Sequence, residues 1–348
     1  MIRITDEKFF QTIHDFFEVY LSKMRHCSDN TIRSYRGTIS SFLDYVSEVK
    51  NLPLAKLSFT LIDSKVIASY LEKIEKSGVS IATRNQRLQA IRSFFAYVAL
   101  SDPSYMIYKS EVDKIPAKKN TEEKTIDYLS EDAIKILFEQ PDQTTDKGLR
   151  DLFLMIVMYD SAARVQEIVN ICIADINDGD TPTLILHGKG NKTRIVPLMK
   201  STMKYFEMYM KVYHPNITDN SEKPLFYSKH TKVQHKLDTS TVRKMLNQYG
   251  DTARESYPAM PKNIHPHLLR HSRAMHLYQH GMDLTLISQW LGHAQLETTL
   301  IYAHADTEQK RKAIEQATTS NGILGTKKSV DRYTIDDDET IRRLYGLK

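Results

Sequence analysis

Cysteine is almost absent from this chain, with only Cys27 and Cys172 in 348 residues. So few and so far apart, they exclude a disulfide scaffold and a cysteine metal site, and they fit a reducing cytosol. Also missing is any apolar run of about 18 residues or more, so the sequence supports no membrane span. The opening MIRITDEKFF carries acids early and lacks an apolar signal core, which makes the cytoplasm the expected location. Neither an internal repeat nor a low-complexity block is present. Most telling is a local lack of acids. The chain has 43 Asp and Glu, yet residues 181–206 and 256–282 contain none.

The first of those windows holds Lys189, Lys192, Arg194, Lys200 and Lys204. The second holds Lys262, Arg270 and Arg273 together with His265, His267, His271, His276 and His280. Net charge is only +5, with a pI near 8.8, which permits a nucleic-acid partner without requiring one. Two local basic surfaces are expected, although solvated faces of the same composition are common. A hydrophobic content of 41% is ample for packed cores, and the length suits two or three domains.

Residues 1–110 read as a helical domain. Ile32, Tyr35, Ile39, Phe42, Leu43 and Val46 form a helical stripe, with Asn30 placed to cap it. A second helix over residues 63–76 stops before Gly78. A third starts near Ser80 and carries Leu88, Ile91, Phe94, Phe95 and Val98. Arg84, Arg87 and Arg92 are expected on its exposed side, as phosphate contacts or as ordinary helix surface. Residues 111–127, polar and broken by Pro116, read as a linker. A second helix-rich region covers residues 128–320, with Ser130 as its first cap. It is interrupted by β-like runs at 183–187 and 193–198 flanking a glycine-containing turn, which predicts a hairpin. Residues 321–348 form a tail whose Asp336–Asp338 run is suited to cap a short helix bearing Ile341, Leu344 and Tyr345. The fold expected is mainly α with a small β-sheet.

Four clusters carry chemistry. In YDSAARVQEIVNI, Arg164 and Glu167 lie three apart on one helical face, a spacing shared by active sites and buried ion pairs. In HGKGNKTR, Gly188 and Gly190 permit a tight turn that would carry Lys189 at its tip, although the full phosphate-loop pattern is absent. In HPHLLRH, His267 and Arg270 point one way on a helix whose first turn contains Pro266. Arginine suits a phosphodiester because its planar fork donates two hydrogen bonds to non-bridging oxygens. The pairs His267/His271 and His276/His280 have metal-ligand spacing. Neither carries a metalloprotease glutamate or a nearby cysteine, so no metal is expected. Finally, Asp283 is placed to cap a helix that Gly292 ends, and His293 then leads to Tyr302.

Taken in order, Arg164, Lys189, His267-Leu-Leu-Arg270, Leu-Gly-His293 and Tyr302 resemble the tyrosine recombinase (phage integrase) family, over about residues 8–318. The resemblance implies a SAM-like, DNA-binding core-binding domain at residues 1–110 and a mixed α/β catalytic domain at 128–320. It further implies that Tyr302 attacks the scissile phosphate to give a 3′-phosphotyrosyl link, with Arg164, Arg270 and His293 on the phosphate oxygens. Lys189 would be the general acid for the 5′-oxygen and His267 the acid/base for the tyrosine, with Glu167 supporting. Lys192 is a nearby competitor for the lysine role. Double-stranded DNA is the implied partner, bound by a homotetramer on two sites with no cofactor, for integration, excision, inversion or resolution, as in mobile elements. Contacts to DNA are expected from Arg84, Arg87, Arg92, Lys192, Arg194 and Arg273. The C-terminal helix would dock on a neighbouring protomer. One departure stands out: where the family usually has Thr-Gly-Leu-Arg, this chain has Ser161-Ala-Ala-Arg164.

Three other readings use overlapping residues. A type IB topoisomerase shares the chemistry, but the helical N-terminal domain and the Leu-Gly-His box favour recombination. A non-catalytic DNA-binding protein would not need all six polar residues. A metal-dependent nuclease needs clustered carboxylates, which the basic windows lack.

Overall fold

Side-chain caps set where most helices begin. Asp6, Ser28, Asp63 and Ser80 each accept a backbone N–H in the first turn of a helix in the N-terminal unit. The computed structural model describes residues 4–119, 127–188, 192–216, 222–228, 235–293 and 295–305. The chain divides into two compact units, Met1–Glu123 and Lys124–Lys348.

The first unit contains α1 (Glu7–Asp15), which continues as a wider π-helical segment (Phe16–Met24), then α2 (Asp29–Lys50), α3 (Ser64–Lys76), α4 (Ile81–Ser101) and α5 (Met106–Asp113). Ser28, not Asn30, caps α2. Phe16, Phe59, Phe94 and Phe95 pack edge to face and stacked in its core, with Ile39, Phe42, Ile67 and Ile91 around them. Helix α5 reaches into the expected linker. Val112 and Ile115 are buried while the charged residues between and around them stay outside, which masked the helix in the sequence.

The second unit runs α6 (Glu131–Phe138), α7 (Asp146–Ser161), α8 (Val165–Asn170), β1 (Ile176–Asn177), β2 (Thr183–His187), β3 (Thr193–Pro197) and α9 (Lys200–Tyr213). It continues with β4 (Tyr227–Ser228), β5 (His235–Lys236), α10 (Thr239–Ser256), α11 (Pro266–Gln279), α12 (Leu284–Leu291) and α13 (Glu297–Ala305). Strands β1, β2 and β3 form an antiparallel sheet in that order, and β4 pairs with β5. Leu184 faces Val196 and Leu186 faces Arg194 across the predicted hairpin. Leu184, Leu186 and Val196 are buried, so this face of the sheet packs on the core formed with α7, α9 and α10. The two-residue strand β1 was not legible in the sequence, being too short to show alternation. No helix among the described residues is long and apolar enough to cross a membrane.

Candidate active site

Helix α7 ends at Ser161, and the chain reverses through Ala162, whose φ of 49° is left-handed. This falls where the expected family pattern has glycine, the residue that adopts that region without a Cβ clash. The turn aims the Ala162 carbonyl at α11 and delivers Arg164 to the start of α8. There the Arg164 backbone N–H donates to Glu167 Oε2 at 2.8 Å, and its Nη1 to Oε1 at 3.1 Å. Glu167 is buried, which pushes its pKa up, but hydrogen bonds from Arg194 and the Arg164 backbone win and hold it at about 2. The carboxylate is therefore ionised at neutral pH. The Arg164 side chain remains 40% exposed.

On α11, Pro266 occupies the first turn and His265 caps it. Arg270 projects inward and is 3% exposed. Its Nη1 donates to the Ala162 carbonyl at 2.6 Å and its Nη2 to the Leu291 carbonyl at 2.7 Å. Burial, then the like charges of Arg164 and Arg194, lower its pKa to about 10, so it stays cationic at neutral pH. His267 sits at the rim of the same helix start. Loss of surrounding water, followed by the charges of Arg270, His265 and Arg164, keeps its pKa below the ordinary histidine value.

Asp283 caps α12 and Gly292 closes it at φ 63°. His293 follows, its backbone N–H donating to the Ser288 carbonyl at 3.1 Å. Its Nδ1 lies 2.9 Å from Thr299 Oγ1 on α13, one turn before Tyr302. Burial and then Arg270 and Arg164 bring the pKa of His293 to about 4. Tyr302 has no solvent exposure and packs with Ala162, Ala274, Met275, Ile287 and Leu291. Burial raises its pKa to about 12, against the pull of Arg270.

The hydroxyl of Tyr302 meets His271 Nδ1 at 2.9 Å. By sequence His271 stood out as one of the histidines of the second basic window and as a metal-spacing candidate, not as a partner of Tyr302. Its position four residues after His267 was the available signal, because it places both imidazoles on one face of α11. Burial, then His267 and Arg270, lower its pKa to about 4. Among the described residues no group of three or more His, Cys, Asp or Glu is arranged to hold a metal ion.

The structure brings Arg164, Glu167, Arg270, His293 and Tyr302 into one region, with His267 at its edge. Lys189 lies outside the described residues, as does the tail at 321–348. Lys192 is exposed, and its carbonyl accepts the Gly188 N–H at 2.7 Å across the hairpin.

Several arginines expected to contact DNA make bonds within the protein. Arg194 is bound to Glu167 and to the Trp290 carbonyl. Arg273 donates to the buried Asp160 at 3.2 Å and lies over the Tyr159 ring. In the first unit Arg84 is buried, not exposed, and donates to the Pro116 carbonyl at 3.0 Å. Arg92 is half-buried and bonds the Asp113 and Ile115 carbonyls, while Arg87 reaches the Tyr70 hydroxyl at 3.4 Å. The physical reason is common to all: the long arginine stem lets a helix or strand residue turn back on its own unit as readily as outward.

A mainly helical chain with a small sheet and a buried tyrosine among arginines and histidines matches a known class. Residues 127–309 match the phage integrase family, and residues 13–101 match the phage integrase N-terminal SAM-like domain. The chain is 31% identical over 309 residues to tyrosine recombinase XerA of Pyrococcus horikoshii, covering 89% of this chain and 94% of that one. It is 30% identical over 316 residues to tyrosine recombinase XerD of Staphylococcus epidermidis, covering 88% and 98%. Its fold is similar to that of the XerH site-specific recombinase in a post-cleavage complex with difH substrate, with a TM-score of 0.64, 22% identity and 90% of each chain covered. The chain belongs to the phage integrase family, the tyrosine-type site-specific DNA recombinases.

Proposed function

We propose that this recombinase cleaves duplex DNA with Tyr302 and rejoins it to a different end. The tyrosine oxygen attacks the scissile phosphorus, an O–P bond forms, and the bond to the 5′-oxygen breaks. That leaves a 3′-phosphotyrosyl link and a free 5′-hydroxyl. Arg164 and Arg270 stabilise charge on the non-bridging oxygens, and His293 hydrogen-bonds the phosphate. Lys189 supplies the proton to the leaving 5′-oxygen. The phenolic proton passes to His267 or to His271. Attack by the 5′-hydroxyl of another strand reverses these steps, so one phosphodiester is exchanged for another without ATP. Four protomers on two DNA sites, passing through a Holliday junction, complete the reading. A core-binding domain at residues 1–110, a linker at 111–127 and a catalytic domain at 128–320 would divide the work, in the cytoplasm.

The observation that carries this is the Tyr302 hydroxyl bonded to His271 beside the buried cation Arg270. Because Tyr302 is wholly covered, attack requires α13 to shift when DNA binds. A nicked suicide duplex, incubated with chelator present, tests the proposal. A covalent protein–DNA adduct that disappears in Tyr302→Phe supports it; cleavage that needs magnesium and leaves no adduct refutes it.

A further inference from the structure

Arg194 has every nitrogen of its guanidinium engaged inside the protein. Strand pairing sets it opposite Leu186, on the core-facing side of the sheet beside Val196. Its Nη1 donates to Glu167 Oε1 and its Nη2 to Oε2, both at 2.8 Å, a two-pronged grip on the carboxylate. Nε donates to the Trp290 carbonyl at 3.0 Å. The side chain is 14% exposed, against 40% for Arg164. Its stem also lies against Gly292: a Cβ there would stand 3.0 Å from Arg194 Cδ and 3.2 Å from Nη1. One side chain thus joins three segments that are distant in sequence: the hairpin, the Arg164 box and the Leu-Gly-His box.

We infer that Arg194 is a positioning residue for strand cleavage, not a DNA contact. Two consequences follow from its bonds. First, it takes the bidentate face of Glu167, so Arg164 reaches that carboxylate through one side-chain N–H, from Nη1. Among the described residues Arg164 makes no other side-chain hydrogen bond, which leaves its remaining donors for a phosphate. Without Arg194, the buried Glu167 charge draws Arg164 inward to replace the missing fork. Second, Arg194 and Arg270 hold successive carbonyls, Trp290 and Leu291, at the negative end of α12. His293 springs from that end, so its place depends on both arginines. The inference rests on the assignment of Tyr302 and Arg164 proposed above.

The test uses full-length Arg194→Lys, Arg194→Gln, Glu167→Gln and the Arg194→Gln/Glu167→Gln pair. The probe is a nicked suicide duplex carrying a site recovered from DNA trapped on the wild-type protein. Lysine keeps the charge but not the fork. Expected are an unchanged slope of log Kd against log salt and a near wild-type final amplitude of adduct. The single-turnover rate at saturating DNA should fall about tenfold in Arg194→Lys and further in Arg194→Gln, and the double variant should be no slower than its slower parent. A phosphate contact predicts the reverse: a salt slope reduced by about one, with the saturated rate intact. That result, or wild-type rates throughout, overturns the inference. A lowered adduct amplitude at full rate also overturns it, since it marks misfolded molecules only. Should Arg194→Gln fail to fold, Arg194→Lys and Glu167→Gln decide by the same rate and slope. Tyr302→Phe is run alongside: an adduct that survives it refutes the underlying assignment, independently of Arg194.

Discussion

The Tyr302 hydroxyl and His271 Nδ1 are 2.9 Å apart, and the tyrosine is wholly covered by protein. With the phenol held near 12 and the imidazole near 4, both are neutral at pH 7. His271→Ala leaves a buried O–H without its partner. The expected loss is roughly 1–3 kcal/mol of stability, together with slower single-turnover cleavage. Urea denaturation and adduct formation measure the two; a variant as stable and as fast as wild type refutes the importance of this contact.

Acidification should destabilise the fold through its histidines. His271 and His293 titrate near 4 in the folded protein, below the ordinary value of 6.5, and His265, His267 and His276 are shifted in the same direction. Between about pH 6.5 and 4 the unfolded chain therefore binds more protons than the folded one, and stability falls as pH drops. The stabilisation is fully present above pH 6.5. Urea midpoints at several pH values should trace this decline, and His271→Gln/His293→Gln should flatten it. A midpoint independent of pH across that window contradicts the burial of these imidazoles.

Arg273 should behave as a structural residue. It meets Asp160, which also accepts the Met199 N–H and the Thr202 hydroxyl, both across from α7. Removing one member of a buried pair leaves the other charge unpaired, so Arg273→Ala is expected to cost about 3 kcal/mol. The salt dependence of DNA binding should not change. A weakened salt slope at wild-type stability would assign Arg273 to the DNA after all.

Two small residues at left-handed positions should respond differently. Gly292→Ala places a Cβ at φ 63° and against Arg194, which should cost about 1–2 kcal/mol and slow cleavage. Ala162→Gly relieves a φ of 49° but removes a methyl group from the cluster around Tyr302. Each effect is about 1 kcal/mol, so the net change in thermal midpoint should be small. An equal response at both sites would show that the Arg194 contact is irrelevant.

Lys189 and Lys192 are separable by leaving-group chemistry. If Lys189 protonates the 5′-oxygen, Lys189→Ala should slow cleavage at least about 100-fold, a typical contribution of general acid catalysis. A 5′-bridging sulfur leaves without a proton, so that substrate should restore the rate. Restoration in Lys192→Ala instead would transfer the role to Lys192.

Much of the fold was legible because local chemistry announced it. Asp283 and Gly292 marked both ends of α12, Ser80 and Ser130 marked the starts of α4 and α6, and the glycines of HGKGNK marked the hairpin. Helix α5 escaped because Val112 is its one buried residue, with Ile115 buried just beyond its end, and a single buried apolar position sets no period.

By itself the sequence determined which residue types exist and in what order: the Arg164 box, the lysine hairpin, His267 to Arg270, the Leu-Gly-His box and Tyr302. It did not determine which way each long side chain turns. Arginine has an apolar stem and a charged fork, so Arg84, Arg92, Arg194 and Arg273 satisfy composition equally well as surface cations or as buried clamps. Only strand register placed Arg194 on the core face opposite Leu186, and only the packing of α13 brought His271 to the Tyr302 hydroxyl. The Arg194–Glu167, His271–Tyr302 and Arg273–Asp160 contacts join residues 27, 31 and 113 positions apart. Periodicity and capping act over one or two helical turns, and nothing at that range fixes partners so distant in the chain.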